Sequence, residues 1–148
     1  MKRLMLILAL MLFPLTAIAG EKVSGTTFYV TDQQNWETGN GSGYWMWHGD
    51  GVQHSAEGPL GTSSVECHGA GFWSKDGSWG EGICVIGAGD DTRTIHWKRD
   101  KGEKVGHWKH LIGTGKYAGM TGEGTYEGHS LPGGRHVNNW EGEVTLAK

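Results

Sequence analysis

Apolar and polar residues alternate with a period of two along most of the chain, and glycine clusters break the alternation into short runs. Residues 23–31 read as a first strand, with Phe28 and Val30 sharing one face, and residues 32–43 read as a polar loop. Tyr44 to His48 is a second strand that sets Trp45 and Trp47 on one side, followed by a loop over 49–62 containing Gly58-Pro59. Further strands are predicted over 63–73, 78–86, 92–99, 105–114, 124–127 and 136–146. No stretch carries the 3.6-residue period of an amphipathic helix, so a βαβ architecture is excluded. Regularly spaced short strands predict an all-β domain, a single eight-stranded antiparallel β-barrel, with a β-sandwich as the alternative. Closure is favoured because it leaves no unpaired strand edge.

The N-terminus departs from this pattern. Lys2 and Arg3 precede an uncharged run, Leu4 to Ile18, that closes on Ala17-Ile18-Ala19. A basic start, a short apolar run broken by Pro14 and small residues two apart are the marks of a secretory signal peptide. The run is too short for a spanning helix, which needs about 20 residues. Residues 1–19 are therefore assigned to a signal peptide and residues 20–148 to the barrel domain, with an exported, periplasmic or secreted location. Loss of Lys2 and Arg3 takes the formal net charge from −3 to −5. An acidic chain without a basic stripe is a poor partner for nucleic acid, and no membrane span is expected.

Export also changes the reading of the two cysteines. In an oxidising compartment Cys67 and Cys84 are expected to pair. The hairpin around Ser74-Lys75-Asp76-Gly77 sharpens this. A four-residue loop there sets Trp73 opposite Ser78, and the same register sets Cys67 opposite Cys84. A three-residue loop shifts the pairing by one and puts the two cysteines on opposite faces.

The glycine-dense stretch GTGKYAGMTGEGTYEG, residues 113–128, raises a nucleotide reading. A P-loop needs a glycine separated by four residues from Gly-Lys and a hydroxyl after it. His110 and Tyr117 stand at those places. The looser pattern Gly113-x-Gly115-x-x-Ala118 requires a helix next, and Gly119, Gly122 and Gly124 forbid one. The stretch reads as a corner between strands, with Tyr117 and Met120 tucked into the barrel end and Lys116 and Glu123 in water. No cofactor is implied.

The run Gly113 to Tyr126, followed by Trp140-Glu-Gly-Glu-Val, resembles the C-terminal signature of small secreted barrels related to the allene oxide cyclase and dirigent-like fold. The likeness covers about the last 40 residues. It implies an eight-stranded barrel whose interior accepts a hydrophobic molecule, and it carries over no catalytic residue.

Candidate chemistry is sparse. Of the eight histidines, His107 and His110 lie three apart and so point to opposite faces of a strand, and Glu66 and His68 share a face but make only two ligands. No metal site is assigned. On 105–114, the face with Trp108, His110 and Ile112 is more apolar than that with His107, Lys109 and Leu111, and is expected to point inward. The same alternation turns Tyr126, Trp140, Val144 and Leu146 inward. Trp108, His110, Tyr126 and Trp140 are therefore the candidate ligand-binding residues, aromatic walls with a polar group. Three functional readings stay open. The first is binding of a small apolar or aromatic molecule in the barrel. The second is a cyclase or isomerase in which His110 or a carboxylate moves a proton. The third is surface carbohydrate binding through Trp45 and Trp47.

Overall fold

The computed structural model describes residues 20–147; the expected signal peptide, 1–19, lies outside the described residues. The chain forms eight antiparallel strands, β1 (Glu21–Gly39), β2 (Ser42–Glu57), β3 (Thr62–Ser74), β4 (Gly77–Ala88), β5 (Asp91–Arg99), β6 (Val105–Gly113), β7 (Thr121–Leu131) and β8 (Arg135–Thr145). Each pairs with the next, and β8 returns to β1, closing the barrel. The barrel predicted from the alternation is thus the observed architecture, and the sandwich alternative is set aside.

The register of the β3–β4 hairpin follows the cysteine argument. Trp73 pairs with Ser78 and Cys67 with Cys84, and the two sulfurs are bonded, with Cα atoms 4.0 Å apart. The turn is tighter than expected, since Ser74 and Gly77 also pair and leave only Lys75 and Asp76 between them. Such a bridge stabilises by about 3 kcal/mol in the chain-entropy account.

Two predicted loops are in fact strand. β1 runs on to Gly39 and β2 to Glu57, so the β1–β2 hairpin is the longest in the barrel. Residues 32–39 lack a hydrophobic face because Gln33 and Asn35, which point inward there, line a cavity rather than a packed core. Residues 49–57 read as loop because Gly49 and Gly51 interrupt the alternation. Gly51 faces the Phe28 carbonyl so closely that no side chain fits. Phe28 and Val30 do share a face, but it is the outer one, and Tyr29 between them is buried.

One end of the barrel is filled. Val23, Leu60, Tyr117, Met120 and Val144 pack there beneath Trp108 and Trp140. The glycine-dense corner makes this plug: a single 3-10 turn over Gly115–Tyr117 drives Tyr117 inward, where its hydroxyl donates to the Leu60 carbonyl at 3.0 Å. Gly115 and Gly119 take the left-handed φ values, 52° and 71°, that turn the chain. Lys116 and Glu123 stay exposed, as expected. The β1–β2, β3–β4, β5–β6 and β7–β8 turns gather at the other end.

Candidate ligand-binding lumen

Above the plug lies a central cavity of about 550 Å³, reaching toward the hairpin end, where Gln33, Asn35, Trp73 and Ser78 line it. Its walls are indole rings laid over glycines. Trp45 lies against Gly71 and Gly80, Trp97 against Gly69 and Gly82, and Trp108 against Gly124 and Gly142. A methyl group at any of these six glycines would overlap the ring it faces. The glycines and tryptophans therefore answer one requirement: a small barrel that keeps a hollow interior while its walls are aromatic. Trp45 and Trp97 run parallel, 3° between planes, with centroids 6.4 Å apart, and Trp47 meets Trp97 edge-on at 6.1 Å.

Hydrogen bonds fix two of the rings. Trp108 Nε1 donates to the Thr125 and Glu141 carbonyls, each at 3.2 Å, reaching the neighbouring backbone because glycines stand where side chains would block it. Trp45 Nε1 donates to Ser78 Oγ at 3.3 Å. Trp97 Nε1 and Trp140 Nε1 are buried with no partner in the protein, as are Arg93 Nε and Asn138 Oδ1. All four belong to residues lining the cavity. Buried polar atoms are ordinarily satisfied; these four lie behind the lining, out of contact with solvent.

Charge in the lumen has one sign. Arg93 and Arg99 line it, and among the described residues no aspartate or glutamate does. Arg93 is buried; its Nη2 donates to Gln53 Oε1 at 2.7 Å, and its guanidinium lies 5.9 Å from the Tyr117 ring centre. Among the described residues no carboxylate forms an ion pair with it. Burial lowers its pKa to about 10, which leaves it charged at neutral pH. The phenols of Tyr29 and Tyr126 are pushed up to about 12 by burial, so both remain neutral hydrogen-bonding groups. His136 is held below the usual histidine range, first by burial and then by Arg99 and His129, opposed by the neighbouring Asn138 side chain.

Trp108, Tyr126 and Trp140, singled out from the sequence, come together in this lining. His110 is buried but is not among the lining residues. Burial and the nearby Arg93 lower its pKa, opposed by a hydrogen bond with the Met120 backbone. Ile112, expected on the same inner face, is 64% exposed. The β5–β6 register slips between Thr94 and Ile95, which pair with Ile112 and His110, so Leu111 is an extra residue and the alternation inverts past it. Trp45 and Trp47 both face the lumen. They form no exposed platform, which removes the surface-sugar reading.

The sequence reading passed over Arg93, Trp97 and His136. The signal for the first two was present: Arg93, Ile95, Trp97 and Arg99 alternate on β5 and all four line the cavity. Two arginines in that set depart from the apolar pattern by which an inward face is recognised.

A closed eight-stranded antiparallel barrel with an aromatic, cationic interior is the class these features define. Its architecture is shared with the pterocarpan synthase dirigent protein GePTS1, with a TM-score of 0.54 over 97% of this chain and 98% of that one at 14% sequence identity. This likeness is one of fold. No protein-family model matches the sequence, and no curated protein does.

Proposed function

We propose that the barrel binds a small molecule with an aromatic or apolar body and an anionic end, held between the tryptophan walls with its charge toward Arg93. The observation that carries this reading is Arg93 itself, a buried cation beside an aromatic cavity with a glutamine as its hydrogen-bond partner. Burying a charge without a counter-charge costs several kcal/mol, and a ligand carboxylate, sulfonate or phenolate removes that cost. Indole rings supply the body's contacts.

Binding is favoured over the cyclase or isomerase reading by the lining. Proton transfer at neutral pH needs a group titrating near 7. Among the described residues the lumen offers two phenols pushed up to about 12, two arginines and His136, which burial moves away from that range. We place the protein outside the cytoplasm, a reading supported by the Cys67–Cys84 bridge and by the basic-then-apolar pattern of residues 1–19.

Tryptophan-fluorescence titration with 2-naphthoate and with neutral 2-naphthylmethanol tests the proposal. Naphthoate should bind at least tenfold more tightly, and Arg93→Met should abolish the difference. Equal affinity of the two probes, or no quenching by either, would overturn it.

A further inference from the structure

On the outer wall, away from the lumen, strand pairing assembles a second chemical group. His48-Gly49-Asp50 on β2 runs antiparallel to Glu66-Cys67-His68 on β3, with His48 opposite His68 and Asp50 opposite Glu66. Gly49 and Cys67 lie between them and face inward, so the four functional side chains form a square on the outside of the barrel. Its donor atoms converge. His68 Nε2 is 2.9 Å from Glu66 Oε1, His48 Nε2 is 3.8 Å from the same oxygen, and His48 Nε2 is 3.3 Å from Asp50 Oδ2. The donors of His48, Glu66 and His68 all lie within 4.8 Å of one another. The imidazoles stack, with centroids 4.6 Å apart and 19° between planes, and so present their Nε2 atoms side by side.

We infer that this cluster is a binding site for a borderline divalent cation, Zn²⁺ or Cu²⁺, with His48, His68 and Glu66 as ligands and Asp50 as a flanking carboxylate beside His48. Zinc binds imidazole nitrogen and carboxylate oxygen at about 2.0–2.2 Å, which sets tetrahedral donors about 3.3 Å apart. The 2.9 and 3.8 Å separations within the trio lie on either side of that value. Two nitrogens with carboxylate oxygens exclude the all-oxygen preference of Mg²⁺ and Ca²⁺. The Nε2 atom of His48 is buried and has no hydrogen-bond partner. Among the described residues no lysine or arginine pairs with Asp50 or Glu66. Asp32 on β1 stands opposite His48 and adds a further exposed carboxylate to the rim. The scaffold is stiff where it matters, because the residue between Glu66 and His68 is Cys67, bonded to Cys84 on β4.

A comparison within the molecule shows what separates this group from an ordinary surface pair. His96 Nε2 lies 3.0 Å from Glu81 Oε2, also on the outer face, with one histidine and one carboxylate. The site also shows why spacing alone fell short. Glu66 and His68 are two ligands from one strand, and the third arrives from β2 through a register that only the fold supplies.

Calorimetric titration of the untagged protein with ZnCl₂ should show one saturable site. His48→Ala and His68→Ala should each weaken it at least tenfold, while His96→Ala leaves it unchanged. Electron paramagnetic resonance of the unmodified protein with one equivalent of Cu²⁺ reads the site without any substitution, and should show coupling to two imidazole nitrogens. Absence of a saturable Zn²⁺ isotherm, equal binding by folded His48→Ala and His68→Ala, or a copper spectrum without two-nitrogen coupling would overturn the assignment. Since these ligands are outside the lumen, loss of the metal site leaves naphthoate binding untouched, and the reverse holds.

Discussion

Arg93 on β5 and Gln53 on β2 join two strands that are not neighbours in the barrel, so their 2.7 Å hydrogen bond spans the interior. The two substitutions are expected to act differently. Gln53→Leu leaves a buried cation without its acceptor and should destabilise by about 2 kcal/mol, the range for a hydrogen bond to a charged group. Arg93→Met removes the buried charge but strands the neutral Gln53 amide, and should cost less than Gln53→Leu. In urea unfolding, Gln53→Leu should lose its cost when combined with Arg93→Met. Additive effects in that double-mutant cycle would show that the pair does not act as a unit.

The tryptophan walls should resist even a single methyl. Gly80→Ala places a carbon 2.5 Å from Trp45 Cζ2 and 2.7 Å from the Ala70 carbonyl oxygen. Overpacking of this kind costs about 1–3 kcal/mol. Because the displaced ring runs parallel to Trp97, the near-UV circular dichroism of the indoles should change with it. An unchanged spectrum and unchanged stability would show that the ring does not rest on Gly80.

Acid should loosen the barrel from within. The pKa values of His110 and His136 are lowered, first by burial, so the unfolded chain binds protons to these residues at a pH where the folded chain does not. Stability is then fully retained above the unfolded value of about 6.5 and falls as pH drops through it toward the folded values. Unfolding free energy measured from pH 8 to pH 5 should decline, and His110→Leu should flatten the lower part of that profile. A profile that the substitution leaves unaltered would assign the decline to other groups.

Much of the fold was readable because period two survives wherever a strand packs against the plug or the disulfide. Cys67 and Cys84 were placed by the expected oxidising compartment together with the register of the hairpin around Lys75 and Asp76. The reading failed where function displaces packing. Gln33 and Asn35 look like loop because they line a cavity, and Arg93 looks like surface for the same reason. Ile112 was misplaced by one extra residue at Leu111, since a bulge has no signature in the hydrophobic pattern. Trp108, Tyr126 and Trp140 were turned inward by the alternation because they are large and close to the legible plug, whereas His110 sits away from the lining.

The six glycines beneath Trp45, Trp97 and Trp108 have a consequence for how such a chamber changes over time. Its bore is set by hydrogen atoms standing where methyls would be, and a methyl at any of them meets a carbonyl of the neighbouring strand as well as the ring. The floor under the rings is therefore fixed, and a different guest is accommodated by changing the groups that project into the room.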